Sequence, residues 1–230
     1  MLGNGRFRSF YYRKADKPYL PAFDAKTTAL LVIDVQNAYL VDKAPDPADK
    51  EAFEEYLAWK PFYERMAGKV IPNIATLQKA FRGKGMEVLF ARIAARTVDG
   101  RERSISQKMP GWNSALMPMN EKKSQIVDAL APVGDEIVVI KTTDSALTGT
   151  NLRLLLNNLG IKTVVCAGVF TDQCVASTVR SLSDESFYVL VAEDGCAAAT
   201  EELHEAELTI INYIYANVMS TGEILAWMGA

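Results

Sequence analysis

The segment TVVCAGVFTDQCVAS, residues 163–177, decides the fold class. Its first seven residues are apolar or small, which is typical of a strand buried on both faces of a parallel sheet. The polar residues that follow, with Thr171 or Asp172 as N-cap, predict a helix over residues 171–185. Cys174 is therefore expected in the first turn of a helix that directly follows a buried strand.

The same alternation of apolar runs and helical patterns continues on both sides of this segment. Predicted strands are TTALLVID (27–34), MEVLFARI (86–93), EIVVIK (136–141), KTVVCAGV (162–169), FYVLVAED (187–194) and a short strand or turn at NVMST (217–221). Predicted helices cover 64–83, 148–160, 171–185 and 200–216, and GEILAWM closes the chain. This order predicts an α/β fold of three layers, α/β/α, around a six-stranded and mainly parallel sheet.

The remaining segments set the domain organisation. Residues 1–26 are rich in Arg, Lys, Tyr and Pro and are expected to form an extended N-terminal arm, followed by a single domain over 27–230. Residues 42–62 are charged and contain proline, which predicts a surface insertion with one short helix. Residues 94–125 predict a long functional loop. Pro72 lies in the first turns of the helix over 64–83 or splits it.

Composition excludes several classes of function. A formal net charge of −3 gives no electrostatic case for nucleic acid or an anionic membrane as partner. No apolar run approaches the length of a membrane helix, and the basic, aromatic N-terminus is unlike a secretory signal, so we expect a soluble cytoplasmic protein. The three cysteines suggest neither a disulfide framework nor a structural zinc site. Cys166 is assigned to a strand core and Cys196 to a structural loop.

Three chemically active side chains follow three of the predicted strands. Asp34 ends the first strand, Lys141 ends the third, and Cys174 begins the helix after the fourth. Because ligands in such sheets bind beyond the carboxyl ends of the strands, we expect these side chains to surround one pocket. A nucleophilic cysteine needs a base, and with 1 His in the chain the carboxylate of Asp34 is the candidate.

This arrangement predicts the chemistry of covalent catalysis. The positive end of a helix dipole and the charge of Lys141 both favour the thiolate of Cys174. Asp34 can accept the thiol proton and later donate it to a leaving amine, and backbone N–H groups before the helix can bind an oxyanion. Each residue also has a structural interpretation: Asp34 as a turn residue, Lys141 as a solvated lysine, and Cys174 as a small core residue. Only their convergence favours catalysis.

The residues around these three positions resemble the isochorismatase-like cysteine hydrolases. The similar segments are ALLVIDVQNAY, IVVIKTTDSALTGTNLRLLL, GVFTDQCVASTVRSL and AEDGCAAATEELHEAEL, within residues 27–221. The resemblance implies a catalytic triad of Asp34, Lys141 and Cys174. It also implies a cis peptide bond between Val169 and Phe170, with an oxyanion hole formed by the backbone N–H groups of Phe170 and Cys174.

The family includes several reactions, and the sequence helps to separate them. Nicotinamidase-like members bind a metal through an aspartate and histidines, and with His204 alone that site cannot be built here in its usual form, so no metal or other cofactor is expected. His204 itself is assigned to helix packing or the surface. Isochorismatases proper cleave a vinyl ether by protonation. The complete triad favours amide or ureide hydrolysis, as in the subfamilies that act on N-carbamoylsarcosine, ureidoacrylate and biuret.

Substrate selection is assigned to the segments around the triad. The candidates for substrate contact are Gln36, Asn37, Tyr39, Arg96, Trp112 and Gln173, with Phe170 beside the nucleophile. Gln36 and Asn37 have the alternative of anchoring loops by hydrogen bonds. Tyr39 and Trp112 have the alternative of packing a loop or a subunit interface.

The sequence thus predicts a metal-independent amidohydrolase for a small amide or ureide, acting through a Cys174 thioester. Two alternatives remain: a vinyl ether hydrolase with Asp34 as the acid, and a non-catalytic binding protein on the same fold. The family resemblance and the aromatic N-terminal arm favour a homo-oligomer, a dimer or a tetramer.

Overall fold

A computed structural model describes residues 5–16, 19–41, 43–109 and 116–229. The strands are β1 Thr28–Ile33, β2 Glu87–Ile93, β3 Val138–Lys141, β4 Thr163–Val169, β5 Tyr188–Ala197 and β6 Asn217–Met219. The helices are α1 Lys50–Arg65, α2 Ile71–Gly83, α3 Leu152–Asn158, α4 Ala176–Asp184, α5 Glu201–Ile211 and α6 Thr221–Trp227. The six strands form one sheet in the order β3-β2-β1-β4-β5-β6, and every neighbouring pair is parallel. The predicted six-stranded α/β fold is confirmed.

The centre of the sheet is the point where the strand order reverses. The chain moves outward from β1 through β2 to β3, and it then returns to place β4 on the other side of β1. Crevices form at such a switch point because the connections leave β1 and β4 in opposite directions. The residues that follow β1 and β4 therefore share one opening at the carboxyl edge.

Alternating side chains of the buried strands fill two separate cores, one on each face. On one face, Leu31 and Ile33 pack in a cluster with apolar residues of α3, α4 and α5. On the other face, Leu30 and Val32 pack with residues of α1, α2 and α6. This makes the three-layer arrangement. In the described ranges, no helix is long and apolar enough to cross a membrane.

The helical region before β2 differs from the prediction. The segment expected as a surface insertion with one short helix contributes most of the 16-residue helix α1. A π-helical turn at Met66–Val70 connects α1 to α2 without a loop, so Pro72 lies at the start of α2 in a nearly continuous helix. Hydrophobic residues on one side of α1, including the buried Phe62, attach this helix to the core and explain its length.

In the C-terminal third of the chain, two predicted boundaries are corrected. Strand β5 continues to Ala197, so Cys196 is a buried strand residue rather than part of a loop. The pairing of β4 with β5 shifts between Cys166 and Gly168, and beyond this irregularity β5 continues past Asp194, the predicted end of the strand. Helix α5 ends at Ile211, five residues earlier than predicted, because Asn212 leaves the helical conformation.

The N-terminal arm is folded rather than extended over its first described part. Two 3₁₀ turns, Gly5–Phe7 and Phe10–Tyr12, lie against the end of α5. The Phe7 side chain is buried in the core, and its carbonyl accepts a hydrogen bond from Asn212 Nδ2 at 2.7 Å. Burial of the Phe7 ring and this hydrogen bond both stabilise the attachment of this end of the arm.

Candidate active site

Asp34 leaves β1 at the switch point in a conformation that turns the chain sharply. Its φ is +52°, in the left-handed region that aspartate tolerates better than most residues. Its backbone N–H donates to Ala91 O, and its Oδ1 accepts a hydrogen bond from the backbone N of Ile93 at 2.8 Å. The carboxylate is 1% exposed. Neighbouring strand β2 thus holds one carboxylate oxygen in place and leaves Oδ2 directed elsewhere.

Lys141, the last residue of β3, reaches across β2 to this carboxylate. Its Nζ lies 2.7 Å from Asp34 Oδ2, 3.1 Å from Thr143 O and 3.2 Å from Cys174 Sγ. The side chain is 0% exposed, so it is not the solvated lysine of the structural interpretation. An ammonium group buried this completely requires charged partners, and it links the carboxylate to the thiol.

Cys174 lies in a π-helical turn, Thr171–Val175, between β4 and α4. Phe170 is the N-cap residue, rather than Thr171 or Asp172, and its carbonyl accepts the backbone N–H groups of Gln173 and Val175. The peptide bond between Val169 and Phe170 is cis, as the family resemblance implied. Among the described residues, the backbone N–H of Phe170 has no hydrogen-bond acceptor. The structure therefore brings the three residues singled out by the sequence into one buried cluster.

Burial controls the protonation of this cluster. Burial raises the pKa of the Asp34 carboxyl, and the charge of Lys141 offsets only part of this effect. Burial also raises the pKa of the Cys174 thiol well above its usual value, Asp34 raises it further, and Lys141 lowers it. Burial alone would lower the pKa of Lys141, but Asp34 and Cys174 outweigh it and the net pKa is raised. The charge of Lys141, which favours the thiolate, is thus opposed by burial and by Asp34, and the net pKa of the Cys174 thiol is raised.

An aromatic wall lies beside the cluster. The Phe170 ring packs against the rings of Tyr39 at 5.1 Å, Phe62 at 5.1 Å and Trp59 at 5.9 Å between centroids. Burial, and then the charges of Asp34, Cys174 and Asp144, raise the pKa of the Tyr39 phenol. The phenol therefore stays protonated at the edge of the site. Helix α1 supplies Trp59 and Phe62, so the segment expected at the surface forms one side of this wall.

Two other candidates for substrate contact are used to anchor a loop. Gln36 is fully buried; its Nε2 donates to Ile93 O and Ser124 O, and its Oε1 accepts from the Ile93 backbone N. Asn37 Nδ2 donates to Lys122 O at 3.0 Å and to Gln125 O at 3.1 Å. These bonds tie the end of β1 to the loop before β3. The loop-anchoring alternative describes both residues.

The remaining candidates are less closely connected with the cluster. Arg96 is exposed, and its guanidinium donates to Ile140 O on the outer edge strand. Gln173 is exposed beside Cys174. Trp112 lies outside the described residues.

His204 lies much closer to the site than its position in the chain suggested. It is buried, its Nδ1 lies 2.8 Å from Thr171 Oγ1, and its Nε2 lies 2.7 Å from Arg65 Nη2. A guanidinium can only donate hydrogen bonds, so Nε2 is the acceptor and Nδ1 carries the hydrogen that is donated to Thr171. His204 thus holds the first residue after Phe170. The prediction that His204 lies on the surface is wrong. The alternative prediction, helix packing, is correct, but it did not include the contacts with Thr171 and Arg65.

Two further residues at the cluster were not singled out by the sequence. Asp144 Oδ1 lies 3.9 Å from Cys174 Sγ and accepts a hydrogen bond from Gln107 Nε2 at 2.5 Å. Asp144 follows Lys141 by three residues, and this proximity to a strand end was the available signal; Gln107, in an irregular loop, gave none. Within the described part of the chain, no group of three or more His, Cys, Asp or Glu side chains is arranged to hold a metal ion.

Comparison with known proteins identifies the family of this chain. The profile of the isochorismatase domain matches residues 28–223. The uncharacterized isochorismatase family protein YecD of Escherichia coli O157:H7 is 32% identical over 208 residues, covering 88% of this chain and 96% of that protein. Ureidoacrylate amidohydrolase RutB of Methylobacterium radiotolerans is 30% identical over 227 residues, covering 93% of this chain and 84% of that protein.

A solved structure shows the same fold. The isochorismatase-like hydrolase from Alkaliphilus metalliredigens is 28% identical and superposes with a TM-score of 0.67, covering 87% of this chain and 99% of that one. The family profile spans most of the chain, and it includes the residues that contribute the carboxylate, the ammonium group and the thiol. The chain therefore belongs to the isochorismatase family.

Proposed function

We propose that this protein is a cysteine amidohydrolase that cleaves a C–N bond of a small amide or ureide. The observation that carries the proposal is the buried chain of contacts from Asp34 Oδ2 to Lys141 Nζ, 2.7 Å, and from Lys141 Nζ to Cys174 Sγ, 3.2 Å. A cysteine that served only packing would not need a buried ion pair beside its sulfur. The likeness to an ureidoacrylate amidohydrolase supports the substrate class.

The first step is attack of sulfur on the carbonyl carbon of the substrate. The thiol proton moves to Asp34, and the raised pKa of this carboxyl makes it a better proton acceptor than an exposed aspartate. Lys141 stays positively charged and stabilises the sulfur as it loses the proton. The cluster thus holds one mobile proton, and burial disfavours a state with negative charge on both groups.

The negative charge that develops on the carbonyl oxygen needs donors that already point at it. The backbone N–H of Phe170 is free among the described residues, and it belongs to the same turn as that of Cys174. These two groups are assigned to the oxyanion hole. The aromatic wall around Phe170 excludes water from this side and strengthens the hydrogen bonds to the oxyanion.

Turnover then completes the cycle. The C–N bond breaks as Asp34 returns its proton to the departing nitrogen, which leaves as ammonia or an amine, and the carbonyl carbon stays bound to sulfur as a thioester. Water attacks the thioester while Asp34 takes one of its protons. The C–S bond breaks, the sulfur is reprotonated, and the acid product leaves.

The test compares the wild-type protein with Cys174→Ala on a panel of primary amides and carbamoyl compounds, with released ammonia as the measurement. We expect release by the wild type and none by Cys174→Ala, and an acyl adduct on the peptide that contains Cys174 after rapid acid quench. Cys166→Ala is the matched control because Cys166 is also a buried cysteine but lies within β4. Equal ammonia release by Cys174→Ala and wild type would remove the thiol from the mechanism.

One observation keeps the vinyl ether alternative in the test. The raised pKa of Asp34 also suits a general acid, which would protonate an ether substrate without the help of a thiol. Cys174→Ala should then retain ether cleavage and Asp34→Asn should lose it. If the wild type cleaves the ether and releases no ammonia from any amide, the amidohydrolase proposal fails.

Assembly and location stay predictions. We propose a cytoplasmic homo-oligomer on the basis of the sequence and the family resemblance. Light scattering coupled to size-exclusion chromatography would determine the subunit number, and fractionation of the source cells would determine the location.

A further inference from the structure

A second carboxylate lies at the thiol and has no part in the proton transfer described above. Asp144 Oδ1 is 3.9 Å from Cys174 Sγ, and the residue is half-buried. Asp34 already serves as the base, because it is completely buried and paired with Lys141. A carboxylate next to a nucleophilic sulfur also opposes formation of the thiolate. Its position beside the sulfur therefore fits a contact with the substrate better than activation of the sulfur.

The surrounding loop orients Asp144. Gln107 is 2% exposed, and its Nε2 donates to Asp144 Oδ1 at 2.5 Å. The same loop is tied to the end of β3 by a hydrogen bond from Ser104 N to Thr142 O at 3.0 Å. In the described part of the chain, Asp144 Oδ2 has no hydrogen-bond partner, and it is not among the buried atoms that lack one. One oxygen is thus fixed while the other remains able to accept a hydrogen bond.

The field of this carboxylate reaches across the site. Besides burial, the groups that raise the pKa of the Tyr39 phenol are Asp34, Cys174 and Asp144, and all three are acidic. The buried ammonium group of Lys141 already contacts Asp34 Oδ2, Thr143 O and the sulfur of Cys174, so it does not offset the charge of Asp144 for a substrate group. A substrate group between Tyr39 and Asp144 therefore meets two groups: the negatively charged carboxylate of Asp144, which accepts hydrogen bonds, and the neutral hydroxyl of Tyr39.

We propose that Asp144, oriented by Gln107, is a specificity-determining residue that accepts a hydrogen bond from an N–H or ammonium group of the substrate and excludes substrates with a carboxylate at that position. This assignment rests on the proposed function, because the proposed function places the reacting carbonyl at Cys174. It restricts the substrate to amides or ureides that carry a neutral or cationic nitrogen group, and no carboxylate, close to the reacting carbonyl.

The first experiment uses two alkylating probes that differ only in this group. Iodoacetamide carries an amide and iodoacetate a carboxylate, and mass spectrometry of the Cys174 peptide gives both rates near neutral pH. Relative to the ratio measured for N-acetylcysteine, we expect the wild type to favour iodoacetamide by about tenfold, the order expected for a partly screened charge a few ångströms away. Asp144→Asn should remove most of this preference by accelerating the reaction with iodoacetate.

A control variant separates the local effect from net charge. Asp128→Asn makes the same charge change at a side chain that is 87% exposed, and it should leave the ratio unchanged. An unchanged ratio in Asp144→Asn would overturn the proposal. Equal slowing of both probes in Asp144→Asn would also overturn it, because Asp144 would then act on the sulfur and not on the incoming molecule.

The second experiment applies the same comparison to ureides. N-carbamoylglycine, its terminal amide and 2-aminoethylurea share the reacting carbamoyl group and end in a carboxylate, an amide and an ammonium group. We expect kcat/KM to be lowest for the carboxylate, and Asp144→Asn to raise it for the carboxylate and lower it for the ammonium compound. If the probes show the selectivity but no amide releases ammonia, the proposed function fails and the role of Asp144 in selectivity stands. If ammonia is released but neither the probes nor the ureides show the selectivity, the proposed function stands and the role of Asp144 fails.

Discussion

The buried histidine gives a prediction about stability that depends on one group. Burial, followed by the positive charges of Arg65, Lys69 and Arg6, lowers the pKa of His204 from 6.5 to about 3. The neutral ring accepts a hydrogen bond from Arg65 and donates one to Thr171, and a protonated ring could not accept the first. In the unfolded chain the same ring titrates normally.

The sign and size of the effect follow from these two pKa values. The folded pKa is depressed, so in acid the unfolded state binds a proton that the folded state refuses. The stabilisation is complete above about pH 6.5 and is lost as the pH falls toward about 3. At pH 5 the loss amounts to about 2 kcal/mol, out of a total of about 5 kcal/mol over the whole interval.

The assay compares wild type with His204→Gln, which cannot be protonated. Free energies of unfolding from urea titrations at about pH 8 and pH 5 should show the advantage of the wild type falling by about 2 kcal/mol. The comparison cancels the contributions of the carboxylates, which are common to both proteins. The chain has 1 His, so its imidazole signals in NMR spectra are unambiguous and should not shift over this range.

Two results would refute this reasoning. An imidazole signal that titrates between about pH 8 and pH 5 in the folded protein would show that the ring accepts a proton in place. A difference in unfolding free energy that is the same at both pH values would show that His204 contributes packing alone.

The remaining predictions concern the frame of the site. Lys141→Met leaves the carboxylate of Asp34 buried without its partner and should cost about 3–5 kcal/mol of unfolding free energy, of which the double variant with Asp34→Asn should recover a large part; a single variant as stable as the double one would contradict this. Gly168→Ala should yield no folded protein by circular dichroism, because a Cβ would lie 1.9 Å from a carbonyl oxygen of β1 and the φ is +134°. Gly68→Ala, with no atom within 4 Å of the added Cβ, is its control and should fold.

Local sequence was sufficient for the sheet and for the cluster. Strands such as β1 and β4 are continuous apolar runs, and this pattern survives in the folded protein because both faces of a parallel sheet are covered. Asp34 and Lys141 were identified because each ends a predicted buried strand, and the carboxyl ends of parallel strands lie at the same edge of the sheet. The structure added the distances between them and the order of the strands.

Local sequence was insufficient where long-range contacts decide an outcome. The charged composition of helix α1 predicts an exposed segment, and the packing of Trp59 and Phe62 against Phe170 shows that the helix borders the site. Asp144 and Gln107 meet although 37 positions separate them, and an irregular loop has no periodicity from which this contact could be predicted.

The sequence by itself determined which chemistry is available: one thiol, one carboxylate and one ammonium group, each next to an element whose type the local pattern specifies. Tertiary structure alone decided their protonation and their surroundings, because pKa values respond to burial and to charges that come from distant parts of the chain. The raised pKa of Cys174 and the lowered pKa of His204 both have this origin, since desolvation is a property of the assembled core and not of any short segment.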